Sequence, residues 1–576
     1  MRGSGLSTSL VLAFFVSTTV KAREVSGSPP RHHELRTEHG LHLPIYRQEV
    51  PSIRRRGLTG SIGLGDYLDV TYNVLVTVGG VSTPVVLDTG SSDLWVISDA
   101  CAACPRSVQL YPQATFQSVG LEARLLYGDS QTGTHAFGLI GKDTVNLAGL
   151  TLQDQFFAAI NDTNTSVEDT GNAGIFGLGF PVNSVIWTAL FIDQRNPGVS
   201  KRSANDMALN RPVFPDVSKL IGHERTNFKR LPFPNITALR GGLMTNHDSR
   251  QASSSFVDAI FQSYARTGPL LSRLVATSDL TSPQFTVTLQ RNTVDVGGNV
   301  GVLSIGELPR GIKNESITWV PIRRYDSSQG GLPPPPDSPS EEYPITWEIF
   351  IDDVYLDGER LPRSTLSPPA TTLSALVDTG NSLIRGPADV VQTIRSTLGT
   401  RFPCSEPHTL AFQIGGKLFP IDPRDFANQE FSNTVASCSP NLVPTDPPAK
   451  GGYLYSWSLG DPFLKSVLST FHYGNLTYPS HDPPRMGFLS TVPADADDQL
   501  KAAVEDAAKN GGNFPATSEA APTGVPTGVV QTNSDGVPTV EPTNTPKSNA
   551  AFRPVIKGRT VWSSFVSAAL LVYVSS

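Results

Sequence analysis

Cysteine is scarce, with four in 576 residues. That excludes a cysteine-dense framework as what holds the chain together, and four thiols still allow three pairings. Cys101-Ala102-Ala103-Cys104 taken alone could mark a zinc or redox site, but no second such pair and no clustered histidine accompanies it, so no metal and no cofactor is expected. Basic residues are outnumbered, 45 Lys and Arg against 52 Asp and Glu for a formal charge of −7. Without a basic patch there is no argument for a nucleic-acid partner. Long hydrophobic runs are missing as well. The apolar stretch from Leu10 to Val16 and the tail from Val561 to Ser576 both fall short of the ~20 residues that span a bilayer.

What the chain does have is 50 Gly, 47 Pro and a 39% hydrophobic fraction, which favour a β-rich, loop-rich protein of two or more lobes. Within it one triplet occurs twice. Asp88-Thr89-Gly90 follows Pro84-Val85-Val86-Leu87, and Asp378-Thr379-Gly380 follows Leu376-Val377. An apolar strand that delivers an Asp into a Gly-containing turn leaves its carboxylate at a strand end among backbone N–H groups. Two such turns facing each other share one proton, because like charges that close cannot both ionise. The carboxylate then draws a proton from water while the acid polarises a carbonyl, which hydrolyses a peptide bond without a metal or a covalent intermediate.

The surroundings resemble the pepsin-like aspartic proteases from Tyr67 to Leu489. Tyr127-Gly128-Asp129-Ser130 looks like the tip of that family's flap, and Trp95 like the residue that hydrogen-bonds the flap tyrosine. Gly174-Ile175-Phe176-Gly177-Leu178-Gly179 and Ser458-Leu459-Gly460-Asp461-Pro462-Phe463 resemble the segments beneath the two Asp-bearing loops. The resemblance implies an all-β, bilobal fold with the active-site cleft between two lobes. It makes Asp88 and Asp378 catalytic, places Tyr127, Gly128, Asp129, Gly90 and Gly380 against substrate, and gives Ser91 and Trp95 supporting roles. It also implies disulfides Cys101 with Cys104 and Cys404 with Cys438. Two departures stand out. Asn381 occupies the place where the family carries a hydroxyl donor to the second carboxylate, and a carboxamide NH₂ can still donate there. The flap is one Gly shorter than the commoner Tyr-Gly-Asp-Gly-Ser.

The lobes are expected over 57–310 and 311–490, with a solvated insertion over about 191–255 and a second solvated loop at Gly330 to Pro336. Residues 1–22 read as a secretory signal peptide. Residues 23–56 read as a basic propeptide ending in Arg54-Arg55-Arg56, with seven Lys or Arg against four Asp or Glu. Without these cationic ends the body is strongly acidic, which favours cationic substrates. Residues 491–548 read as a Ser/Thr/Pro-rich stalk that opens with a short solvated helix over Asp495 to Ala508. Residues 549–576, with small residues at Asn549-Ala550-Ala551, a spacer and an apolar end, have the pattern of a GPI-anchor signal attached near Asn549. Sequons at Asn161, Asn164, Asn235, Asn314 and Asn475 fit a glycosylated chain. Protease, stalk and anchor together look like the yapsin-type enzymes of fungi. The expected partners are peptide or protein substrates and, through lipid, a membrane; the expected site is the cell surface or cell wall, as a monomer. A catalytically inactive pepsin-like surface-binding protein is the competing reading.

Overall fold

The computed structural model describes residues 60–63, 65–67, 71–104, 108–128, 133–147, 149–195, 254–289, 301–309, 311–326, 329, 331–448, 452–514 and 518–519. The segments expected as leader, propeptide and anchor signal therefore lie outside the described residues, as do Asp129, Asn235, Asn549 and most of the 191–255 insertion.

Strands dominate the fold, and the reason shows in Thr71–Val78. Tyr72, Val74, Val76 and Val78 recur with the two-residue period of a strand and all are fully buried, while Leu75 and Thr77 between them are half-buried. This strand pairs antiparallel with Val81–Asp88, placing Asp88 directly after the apolar run Pro84 to Leu87. Val81–Asp88 then lies parallel to Gly174–Gly177, which is antiparallel to Leu94–Ile97, all in a nine-stranded sheet. The second half repeats the plan. Ser374–Val377, fully buried, lies parallel to Trp457–Leu459, which is antiparallel to Ile384–Pro387, in a five-stranded sheet. Each Asp thus leaves a buried strand beside a parallel neighbour, so the same chain path delivers both carboxyls.

A six-stranded sheet joins the halves. Gly60–Gly63, Gly301–Ile305 and Gln284–Leu289 come from before the second triplet; Val467–His472 and Arg485–Ser490 come from after it, with Thr318–Pro321 at the edge. On it sits an aromatic cluster. Phe285 stacks on Phe471 with ring centroids 4.6 Å apart, and Phe180 lies 4.4 Å from Trp347. Trp347 Nε1 and Tyr473 Oη both donate to the Leu178 carbonyl, at 3.0 and 2.6 Å. Leu178 N in turn donates to the Asp88 carbonyl at 2.8 Å, so this core supports the floor of the loop that begins at Asp88. Large buried rings with their polar edges satisfied stabilise by about 2–3 kcal/mol each, which makes the floor rigid.

Two expectations need correcting. The proline loop is only partly solvated: Leu332 is buried beside Tyr343 and Phe180 and Pro335 is buried too, while Pro333 and Pro334 are half-buried and Pro336 is exposed. Proline carries no N–H, so a run of it enters a core leaving fewer donors unsatisfied. The helix past the second lobe forms as Ala496–Lys509, yet only one face is solvated. Leu500, Val504 and Ala507, at helical spacing, are buried, and the first two pack on Phe402 and the Cys404–Cys438 disulfide. Both disulfides are formed, Cys101–Cys104 and Cys404–Cys438. No described helix is long and apolar enough to cross a membrane.

Candidate active site

The two triplets meet. Thr89 Oγ1 donates to the Val377 carbonyl at 2.8 Å and accepts from Thr379 N at 3.0 Å; reciprocally, Thr379 Oγ1 donates to the Leu87 carbonyl at 2.7 Å and accepts from Thr89 N at 3.0 Å. All four bonds are buried, so both hydroxyls are fully used and neither loop can move without the other. The carboxyls interlock in the same way. A Cβ added at Gly90 would lie 2.6 Å from Asp378 Oδ1, and one added at Gly380 would lie 2.6 Å from Asp88 Oδ1. Glycine is required at both places because the opposite carboxyl occupies the space of a side chain.

Around this shared frame the two Asp residues differ. Asp88 is buried; its Oδ1 accepts from Gly90 N at 2.8 Å and its Oδ2 from the Ser91 hydroxyl. Asp378 is half-buried, and its Oδ1 accepts from Gly380 N at 3.0 Å. Burial raises the pKa of both carboxyls above the usual carboxylate range. At Asp88 the Ser91 hydroxyl and the Gly90 amide pull against that rise, whereas at Asp378 the negative charge of Asp88 adds to it. Both environments therefore disfavour ionisation of the carboxyl they hold, and such a pair titrates as a unit.

The flap hairpin pairs Gln117–Tyr127 with Thr134–Leu147, and Tyr127 opposite Thr134 closes the pairing at its tip. Trp95 Nε1 donates to Tyr127 Oη at 2.7 Å, and the tyrosine hydroxyl also meets Ser91. Burial holds the phenol neutral, with the charges of Asp88 and Asp93 adding to the effect. A chain of contacts therefore runs from Trp95 through Tyr127 and Ser91 to Asp88. Gly128 is exposed at the turn, with φ of 86°.

Asn381 does not reach the dyad. Its Nδ2 donates to Ser458 Oγ at 3.0 Å, and its Oδ1 accepts from Leu383 N at 3.3 Å and Arg385 Nε at 3.2 Å. The expectation that its carboxamide would stand in for the missing hydroxyl is overturned, because the amide is turned into the strand behind its own loop. Of the described sequons, Asn161, Asn164 and Asn314 are exposed, and Asn475 is half-buried with its Oδ1 accepting from Thr477 N and Tyr478 N.

Three contributors were not foreseen. The cross-lobe role of Thr89 and Thr379 was signalled by the identical middle residue of both triplets. Arg385 was signalled only by a charge in an otherwise apolar run. Asp93 was signalled by its place five residues past Asp88: its carboxylate accepts from the Ser184 hydroxyl and from Val185 N and Ile186 N, at 2.8 and 3.3 Å for the two amides, capping the helix Val185–Arg195. Burial pushes this carboxyl up to about 6. Among the described residues no group of three or more His, Cys, Asp or Glu could hold a metal.

Comparison with known proteins gives the family of the chain. The chain is 25% identical to cathepsin E-A of Xenopus laevis over 448 residues, covering 74% of this chain and 81% of that one. It is 26% identical to pepsin A of Sus scrofa over 438 residues, covering 73% and 83%. It is 21% identical to major aspartyl peptidase 1 of Cryptococcus neoformans var. grubii over 488 residues, covering 80% and 77%. The profile described as eukaryotic aspartyl protease matches residues 71–214 and 253–478, and the chain belongs to that pepsin-like family of aspartic endopeptidases.

Proposed function

We propose that the enzyme is a secreted, surface-anchored endopeptidase that hydrolyses peptide bonds through water activated by Asp88 and Asp378. The carboxylate of Asp88 takes a proton from water as the water oxygen adds to the scissile carbonyl carbon, and Asp378 gives its proton to the carbonyl oxygen. The resulting tetrahedral diol collapses when a proton reaches the amide nitrogen, the C–N bond breaks, and the dyad again holds one proton. An extended substrate pairs main chain to main chain beneath the hairpin that carries Tyr127. The observation that carries this reading is the reciprocal seating of each carboxyl against the other loop's glycine.

The narrower yapsin-type reading rests on sequence: a basic segment ending at Arg56, an acidic body, a Ser/Thr/Pro-rich stalk and the terminal pattern after Asn549. An acidic body favours substrates with basic residues near the cut, with Asp129 of the flap as a proposed contact.

The test is digestion of a mixed peptide library by the mature protein across pH, with and without a pepstatin-like transition-state mimic. Internal cleavage in acid that the mimic blocks is expected; absence of cleavage by folded protein would favour the surface-binding alternative. On cells, a GPI-cleaving phospholipase should release the protein, and an intact Ser576 terminus on surface protein would refute the anchor.

A further inference from the structure

Glu348 is fully buried on the strand that pairs with the one leading to Asp378. Its carboxylate serves three donors. Arg323 Nε lies 2.6 Å from Oε1 and the Ser374 hydroxyl 2.5 Å from the same oxygen, while the Tyr325 hydroxyl donates to Oε2. Arg323 Nη2 donates to Ser374 Oγ at 3.2 Å, which closes a ring of three side chains. Arg323, Tyr325 and Ser374 are buried too, so the charge pair is withdrawn from water and its hydrogen bonds are strong and directional. Burial, and then the charge of Glu348, keeps Tyr325 a neutral phenol able to donate.

What this hub holds is the pair of strands that carries Asp378. Ser374 opens Ser374–Val377, the strand that ends at Asp378. Tyr325 Oη accepts from Leu454 N at 3.3 Å, on the chain entering the neighbouring parallel strand Trp457–Leu459. Ser456 N donates to the Ser374 carbonyl at 3.1 Å, and at the far end Asp378 N donates to the Leu459 carbonyl at 3.0 Å. Both strands are thus fastened to one carboxylate where they start, and Asp378 sits where they finish. The first lobe carries no charge at these places. The residue in the register of Glu348, opposite the position two before the Asp, is Asn73, and the residue in the place of Ser374 is Pro84.

We propose that Glu348, neutralised by Arg323, is a positioning residue for Asp378, setting through Ser374 and Tyr325 the placement of both strands that deliver that carboxyl. The inference rests on the dyad reading given above. A buried ion pair is a weak source of stability, because desolvation offsets its attraction, and its better-attested use is to specify one arrangement among close alternatives. Apolar packing alone would hold the two strands together; directional bonds to one carboxylate also fix their register against each other.

The experiment measures kcat, KM, inhibition by a pepstatin-like transition-state mimic and melting temperature for the mature enzyme, Tyr325→Phe, Ser374→Ala and the double variant Arg323→Met/Glu348→Met, all assayed well below melting. The double variant replaces a buried ion pair by apolar side chains of similar volume, a change that is often neutral for stability. It should melt within about 3 °C of the parent and still lose about tenfold or more in kcat, because the strands keep their packing and lose their common anchor. Tyr325→Phe and Ser374→Ala should each lose about three- to fivefold in kcat with KM within about twofold, since each frees one strand behind the carboxyl. In every variant the mimic should weaken in step with kcat/KM. Val504→Ala, a buried truncation in the separate cluster around Phe402 and the Cys404–Cys438 disulfide, should lower the melting temperature and leave kcat unchanged. If the double variant fails to fold, the two single variants carry the test. Parent-like kcat in the folded variants, a rise in KM with kcat unchanged, or a loss of kcat in Val504→Ala that matches theirs would overturn the proposal. Hydrolysis that survives Asp378→Asn would instead overturn the dyad reading on which the proposal depends.

Discussion

Asp88 and Asp378 end strands with the same neighbours in the same directions, and each loop is bonded to the other through a threonine, yet the first and third side chains after the glycine differ, Ser91 against Asn381 and Asp93 against Leu383. Ser91 bonds its carboxyl; Asn381 turns away and holds an arginine. Asp93 caps the helix Val185–Arg195, whereas its counterpart Leu383 caps nothing, and the short helix Asp461–Leu464 beneath the second loop begins without a side-chain cap. Backbone and threonines set the geometry of the pair; the finishing residues set its electrostatics. A duplicated frame can therefore remain symmetric in shape while its two carboxyls sit among different partners.

The largest way to break the symmetric part is at the glycines. Gly90→Ala pushes on Asp378 and Gly380→Ala pushes on Asp88, each at 2.6 Å. Either should lower kcat/KM about a hundredfold or more, since an ångström of misplacement costs that much. The damage crosses over, so each alanine should impair the Asp of the opposite loop. Activity near wild type in either would show that the carboxyls are not seated as described.

A smaller effect tests whether the threonines are equivalent. Thr89→Val and Thr379→Val each delete one cross-lobe donor and one cross-lobe acceptor. Each should cost about 2–3 kcal/mol of unfolding free energy by denaturant melts, through lost hydrogen bonds and partners left unsatisfied. Losses that differ by more than about 1 kcal/mol would mean that one loop carries the other.

Asp93 sharpens the asymmetric part. Its carboxyl is pushed up to about 6 by burial, against about 4 in an unfolded chain. Between those values the folded state keeps a proton that the unfolded chain has shed, so this residue makes stability fall as pH rises across that window, by up to about 3 kcal/mol. Asp93→Asn keeps a capping side chain and removes the titration. Its unfolding free energy should vary less between pH 4 and 6 than that of the parent, and an unchanged slope would assign the pH dependence to other groups.

The sequence made the repeated frame legible because a buried strand ending in Asp-Thr-Gly leaves a local signature twice. The flap tyrosine and its tryptophan partner were legible by the same kind of local pattern. Contacts between distant positions were not. Nothing local says that the Thr89 hydroxyl binds residues 288 and 290 positions away, or that Asn381 faces the strand behind it. The partial burial of the proline run is not legible either, because its composition suits exposure while its fixed backbone and missing donors suit burial equally well. The burial of the last helix is not legible locally either, because its apolar face is narrow and the disulfide region that covers that face lies about 60 to 100 residues earlier in the chain.

The central claim is that Asp88 and Asp378 work as one proton-sharing unit. Asp88→Asn and Asp378→Asn, each purified, shown to be folded by circular dichroism and assayed on the same peptide, test it most directly. Both should lose hydrolysis to background, at a loss of about 10⁴-fold or more, because half of a shared pair has no function of its own. Substantial turnover by either folded variant would contradict the account.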